Sequence, residues 1–135
     1  TSPPYLNSYD YYLYHKHRIF WLGLDYKPAQ DKEFGSRHQH SDLGKGLIDY
    51  EESMTKVIKE CSKLLKKMGY FCVIIGDGIL KGELIKMNRV MDKIFEKAGY
   101  KKVKEIVFNQ RKYTRTFTPN LKTAYKDSYV IIYQH

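Results

Sequence analysis

The chain has 135 residues, 42% of them hydrophobic, and carries 24 Lys plus Arg against 15 Asp plus Glu for a formal charge of +9. That is enough apolar material for one compact core and leaves little room for a second domain, while the basic excess favours a phosphate-rich partner, because each Lys or Arg near a phosphate releases condensed counterions. No apolar run approaches the ~18 residues of a membrane span, and no signal-peptide pattern is present. The expectation is a single cytoplasmic domain over residues 1–135, with Cys61 and Cys72 as buried free thiols.

The chain opens on TSPPYLNSYDYY. Two prolines between a serine and a tyrosine fix the backbone locally, and the plain reading is a polyproline turn. Residues 8–22 then place Tyr12, His15, Ile19 and Leu22 on one side and Tyr11, Tyr14, Arg18 and Trp21 on another, which fits a helix ending near Gly23. Most of its aromatic residues read as core. Periodicity disappears over 25–46, a long basic loop with Pro28, Gly35, Gly44, Gly46, Arg37, His38, His40 and Lys45.

Helical spacing returns in Met54, Val57, Ile58, Cys61, Leu64, Leu65 and Met68, with Gly69 placed as a C-terminal cap, so a helix is expected near 48–68. YFCVIIGDG follows, a continuous apolar run that predicts a strand near 70–76 buried on both faces in the middle of a sheet. Leu84, Met87, Val90, Met91, Ile94, Phe95 and Ala98 predict a helix near 83–98, and two further runs predict strands near 102–110 and 128–134. Helix and strand alternation with two directly joined final strands argues an α/β layer structure whose last two strands are antiparallel.

The opening motif has a chemical rationale. An exocyclic amino group on a nucleobase is a poor nucleophile because its lone pair is delocalised into the ring, so a site that alkylates it must hold both amino hydrogens with acceptors. Ser2 and the Pro3 carbonyl can supply those acceptors, Pro4 stiffens the loop, and Tyr5 offers a face to a base taken out of its stack. Ser2, Pro3, Pro4 and Tyr5 resemble the catalytic motif of amino-methylating DNA methyltransferases. The continuation Asn7, Tyr9, Asp10 and Tyr11, the aromatic helix ending in Trp21, Leu22 and Gly23, and VIIGDGILKGE downstream are similar to a subgroup of DNA modification methylases.

The resemblance implies a partial Rossmann-like fold, the C-terminal half of the domain, with S-adenosylmethionine as methyl donor and DNA as substrate. The serine variant implies cytosine ahead of adenine. The family's glycine-rich cofactor loop is missing from these residues, since neither GDGILKG nor LGKG has the required strand before it and helix after it. No methyl transfer is therefore expected from this chain alone; a homo-oligomer or a companion chain carrying the cofactor half is expected to cover the exposed edge of the first strand. A non-catalytic nucleic-acid-binding remnant and an RNA guanine amino-methyltransferase fragment are the alternatives.

Further substrate contacts are expected from Asn7, Tyr9 and Asp10 beside the motif, and from Asp77 at the carboxyl end of a strand, where α/β sheets bind ligands. Arg37, Lys45, Arg111, Lys112 and Arg115 are candidates for backbone phosphates, whereas Lys56, Lys59, Lys63, Lys66 and Lys67 read as a solvated helix face. His15 and His17 point to different helix faces, and no metal site is expected.

Overall fold

The last strand in the chain lies at the centre of its sheet. The structure, a computed structural model, describes residues 1–109 and 126–135. Its elements run α1 (Tyr11–Trp21), α2 (Lys27–Lys32), a π-helical turn (His38–Asp42), α3 (Leu47–Ser62), β1 (Tyr70–Gly76), β2 (Gly78–Leu80), β3 (Glu83–Ile85), α4 (Met87–Lys97), β4 (Lys101–Asn109) and β5 (Asp127–Gln134). The main sheet has the order β1, β5, β4, both pairings antiparallel, and β2 pairs β3 in a separate hairpin. This is a mixed α/β fold, with its final strand pair antiparallel as the sequence predicts.

Register explains the core. Val73 faces Ile131, Ile75 faces Tyr129 and Phe71 faces Tyr133 across the β1–β5 ladder, and directly opposed residues share a face. Against that face α4 places Met87, Val90, Met91, Ile94 and Phe95, all buried at helical spacing, and α3 adds Tyr50, Met54 and Ile58. The Phe95 and Tyr133 rings stack at 3.9 Å between centroids.

Four expectations need correction. The YFCVIIG strand is not buried on both faces: Val73 and Ile75 are buried but Cys72 and Ile74 are exposed, and β1 lies at the edge of the described sheet, where the missing cofactor half is expected to leave it. An apolar run facing an uncovered sheet surface reads the same in sequence as one buried on both sides. For the same reason Cys72 is exposed rather than buried, although both thiols are free. The helix near 48–68 ends at Ser62, whose hydroxyl donates to the Ile58 carbonyl at 2.6 Å and accepts from the Tyr100 hydroxyl at 2.8 Å. The chain then turns through Met68 at φ +60° into Gly69, where a Cβ would lie 2.7 Å from the Lys66 carbonyl oxygen, so glycine is required by the tight return.

The third correction concerns 83–98. Glu83–Ile85 is a strand paired with Gly78–Leu80, and the helix begins only at Met87. Lys81 and Gly82, at φ +51° and +82°, make the two-residue turn between them, the left-handed geometry that matches strand twist. Lastly, the loop at 25–46 contains α2 and the π-helical turn.

One contact reaches the other edge of β1. The Thr1 nitrogen donates to the Cys72 carbonyl at 2.9 Å, and the Ile74 N–H donates to the Thr1 carbonyl at 2.9 Å. A single residue bonded to the neighbours on either side of Val73 is the pattern of a parallel ladder. On the sheet face bearing Ile74, that residue and Ile106, two strands away in the same row, are both exposed.

Candidate functional site

From Thr1 the chain runs alongside residues 73–79 in the same direction. The Tyr5 ring lies against Gly76, where an added Cβ would come within 3.4 Å of it, and Leu6 is seated on Gly78, where a Cβ would be 3.0 Å from the Leu6 carbonyl oxygen. Asn7, at φ +50°, donates from Nδ2 to the Ile79 carbonyl at 2.8 Å. The two glycines of GDG thus allow the opening segment to lie directly on the end of β1.

A second clamp comes from α3. The Tyr50 hydroxyl donates to the Pro4 carbonyl at 2.7 Å, with the ring buried against Phe34 and His40. Burial, and after it the neighbouring Tyr5 phenol, push the Tyr50 hydroxyl well above its usual range, so it stays a donor. The loop closes the third side: Gly35 accepts from the Asn7 N–H at 2.8 Å, and its φ of +76° and close packing on Pro4 and Tyr50 both favour glycine. Sequence reasoning missed Tyr50. The signal was a phenol on the apolar stripe of α3, since a buried tyrosine hydroxyl needs a partner.

Within this frame Ser2 is exposed and Pro3 buried. Tyr50 occupies the Pro4 carbonyl, whereas no donor among the described residues engages the Pro3 carbonyl. The Ser2 hydroxyl lies 3.5 Å from the Tyr5 hydroxyl, a long contact that leaves its lone pairs available.

The remaining candidate residues divide sharply. Asn7 is bound up in loop contacts, its Oδ1 accepting from Ser41 at 2.9 Å while its amide holds Ile79. Asp10 accepts from the His38 N–H at 2.9 Å, tying the start of α1 to the π-helical turn. Tyr9 is exposed beside Tyr5, and Arg37 is exposed with no carboxylate partner among the described residues. Arg111 and Arg115, with Lys112, lie outside the described residues.

Asp77 is an internal hub. Its side chain is fully buried and accepts from the Tyr129 hydroxyl at 3.0 Å, the Met87 N–H at 3.1 Å, the Asp127 N–H at 3.0 Å and the Lys86 ammonium at 2.8 Å. Those four donors use the carboxylate's accepting capacity, so its position at the strand end serves the fold. Lys86 also reaches Asp127 at 2.8 Å; burial works to lower its pKa, and the hydrogen bonds to Asp127 and Asp77 outweigh that and hold it above the usual range. Burial, then the bond to Asp77, push the Tyr129 hydroxyl up to about 12.

The aromatic residues of α1 are a further correction. Only Tyr12 of that helix is buried; Tyr11 and Tyr14 are exposed and Trp21 is 91% exposed. Tyr5 and Tyr9 meet edge to face at 6.2 Å, Tyr9 lies 5.7 Å from Tyr11 and 6.5 Å from Tyr14 between ring centroids, and an open hollow of about 310 Å³ is bounded by Ser8, Tyr9, Asp10, Leu13, Tyr14 and Arg37.

Among the described residues no group of three or more His, Cys, Asp or Glu side chains is placed to hold a metal; His38 pairs with Asp42, and His40 contacts the Lys45 carbonyl. Nor do the described residues fit S-adenosylmethionine on their own: the glycines at the end of β1 are filled by Tyr5 and Leu6, and Gly82, which has open space after β2, leads into β3 rather than into a helix. Among the described residues no helix is long and apolar enough to cross a membrane.

No family model matches the sequence, and no curated protein matches it. Among solved structures, the fold is similar to that of a candidate DNA modification methylase from Thermus thermophilus, crystallised with S-adenosyl-L-methionine, at a TM-score of 0.51 and 19% identity. The match covers 68% of this chain and 41% of that one, so what the two share is the fold of a part of the methylase.

Proposed function

We propose that this chain is the base-binding part of an S-adenosylmethionine-dependent methyltransferase that modifies an exocyclic amino group of a DNA base, cytosine ahead of adenine. One observation carries the reading: Tyr50 holds the Pro4 carbonyl while, among the described residues, the Pro3 carbonyl accepts no hydrogen bond and the Ser2 hydroxyl makes only a long 3.5 Å contact with the Tyr5 hydroxyl. Ser2 and Pro3 accept the two amino hydrogens and so orient the nitrogen lone pair, and Tyr5 stacks on the extruded base. Fixing those acceptors beforehand is the protein's share of the catalysis. Asn7 anchors the segment that carries the motif, Asp10 the start of α1 and Asp77 the sheet, rather than touching substrate.

The methyl donor belongs to a companion segment, in a second polypeptide or another copy, added on the side of β1 where Thr1 bonds. The parallel bonding of Thr1 around Val73 and the exposed Ile74 support that placement. The filled glycines at Gly76 and Gly78 favour a second reading, a non-catalytic nucleic-acid-binding remnant.

Transfer of radiolabelled methyl groups to DNA separates them. The expected result is no transfer by the chain alone, transfer when it is mixed with the product encoded beside it, and a loss of kcat of roughly 100-fold or more for Ser2→Ala, the scale of a lost preorganised polar contact. Absence of both transfer and donor binding in the mixture selects the remnant.

A further inference from the structure

We infer that Tyr9, Tyr11 and Tyr14 form a stacking track for unpaired nucleotides that flank the base held at Tyr5. The inference rests on the base-binding reading for the occupant of Tyr5, and on its own geometry for the rest. The rings are continuous: Tyr5 meets Tyr9, Tyr9 meets both Tyr11 and Tyr14, and Tyr11 and Tyr14 lie 6.5 Å apart. They lead outward from the motif, with Tyr9 and Tyr11 44% exposed and Tyr14 69% exposed. Rings so arranged are neither core nor surface scatter; they form a connected series, tilted 38–60° to one another, that runs from the site to solvent.

Charge selects the occupant. No acidic residue occurs in α1, which carries Lys16 and Arg18. The two nearest carboxylates are turned inward onto backbone amides: Glu33 accepts from the Tyr11 and Tyr12 N–H groups at 2.7 and 3.0 Å, and Asp10 accepts from the His38 N–H. Arg37, exposed at the rim of the hollow beside Tyr9 and Tyr14, is the charge left facing outward. Exposed aromatic rings beside a guanidinium that has no carboxylate partner among the described residues suit a polyanion with flat bases, the combination used on single strands. A paired duplex shows its base edges and hides its faces, so the track is specific for bases that are already unstacked.

The test is fluorescence anisotropy of a labelled oligothymidylate of about 12 nucleotides, within the usual span of a single-strand site, titrated with the purified chain and compared with the matching duplex. The single strand binds more tightly than the duplex; Tyr9→Ala and Tyr14→Ala each weaken it about 5- to 100-fold, the range of one lost base–aromatic stack; and Tyr14→Phe, which keeps the ring, restores affinity. Thermal melting by circular dichroism confirms that these surface variants fold. Unchanged affinity in both alanine variants overturns the track, as does a chain that binds no oligonucleotide but changes its sedimentation on Tyr14→Ala, since the surface is then a protein contact. Ser2→Ala separates the two readings. Methyl transfer that needs Ser2 but ignores Tyr9 and Tyr14 overturns the track alone, whereas tyrosine-dependent binding without transfer in any mixture overturns the methyltransferase reading and supports the track.

Discussion

The Tyr50 hydroxyl on α3 donates to the Pro4 carbonyl at 2.7 Å, joining residues 46 apart in the chain. Tyr50→Phe keeps the ring and its contacts with Phe34 and His40, and removes only the donor. Leaving a shielded carbonyl unpaired costs about 1–3 kcal/mol. Urea unfolding should show a lower midpoint at unchanged slope; an unmoved midpoint means the bond contributes nothing.

Asp77 predicts a larger loss. Asp77→Ala leaves the Tyr129 hydroxyl and two backbone N–H groups without their acceptor and the Lys86 ammonium with Asp127 alone, and breaking a buried charged network from one side costs about 3–5 kcal/mol. Lys86→Met should cost less, because Lys86 is partly exposed and Asp77 keeps three donors. Thermal unfolding of the two variants should rank them in that order.

Alkaline pH should unfold the protein cooperatively. Tyr129 holds its proton up to about 12 against an ordinary 10.0, and Tyr50, Tyr133, Lys86 and Lys102 are shifted the same way. A proton held more tightly in the folded state stabilises it at pH values below the ordinary pKa, and that stability is lost as pH rises through the folded value. The window opens near 10 and closes near 12 for Tyr129. Tyrosinate absorbance should therefore rise together with the loss of circular dichroism, and independent titration of the buried phenols ahead of unfolding contradicts it. At the acid end Glu105, lowered chiefly by its bond to Lys102, contributes stability that disappears as pH falls through its folded value.

The exposed residues on one face of β1 predict association. Ile74, Val130 and Ile106 lie in register in one row across the sheet, with Ile74 and Ile106 exposed. Sedimentation of the chain alone should show mass rising with concentration, and Ile74→Lys, which puts a charge in the row, should reduce it without unfolding the protein. A concentration-independent monomer counts against the companion segment.

How legible was this in the sequence? In α4 the helical period and the burial coincide, so Met87 through Phe95 could be read directly. In α3 they part company. Leu64 and Met68 continue the period, yet the helix has already ended and both are exposed, because Ser62 and Tyr100 fix the turn from a distance. The motif stood out by composition, but its clamp did not, since Tyr50 looks like any other residue of an apolar stripe. The aromatic residues of α1 show the same limit: spacing tells which side chains share a face, and only the tertiary structure tells whether anything covers it.

The central place of β5 has a consequence for the order of folding. Among the described residues β1 and β4 form no ladder with each other and are joined through Asp127–Gln134, so a nascent chain that has not yet released those residues from the ribosome has helices but not this sheet. Until Tyr129 and the Asp127 amide arrive, the Asp77 carboxylate remains in water. Sheet and hub then close in one step, once β5 is available, and the slow search for distant partners is confined to a single strand.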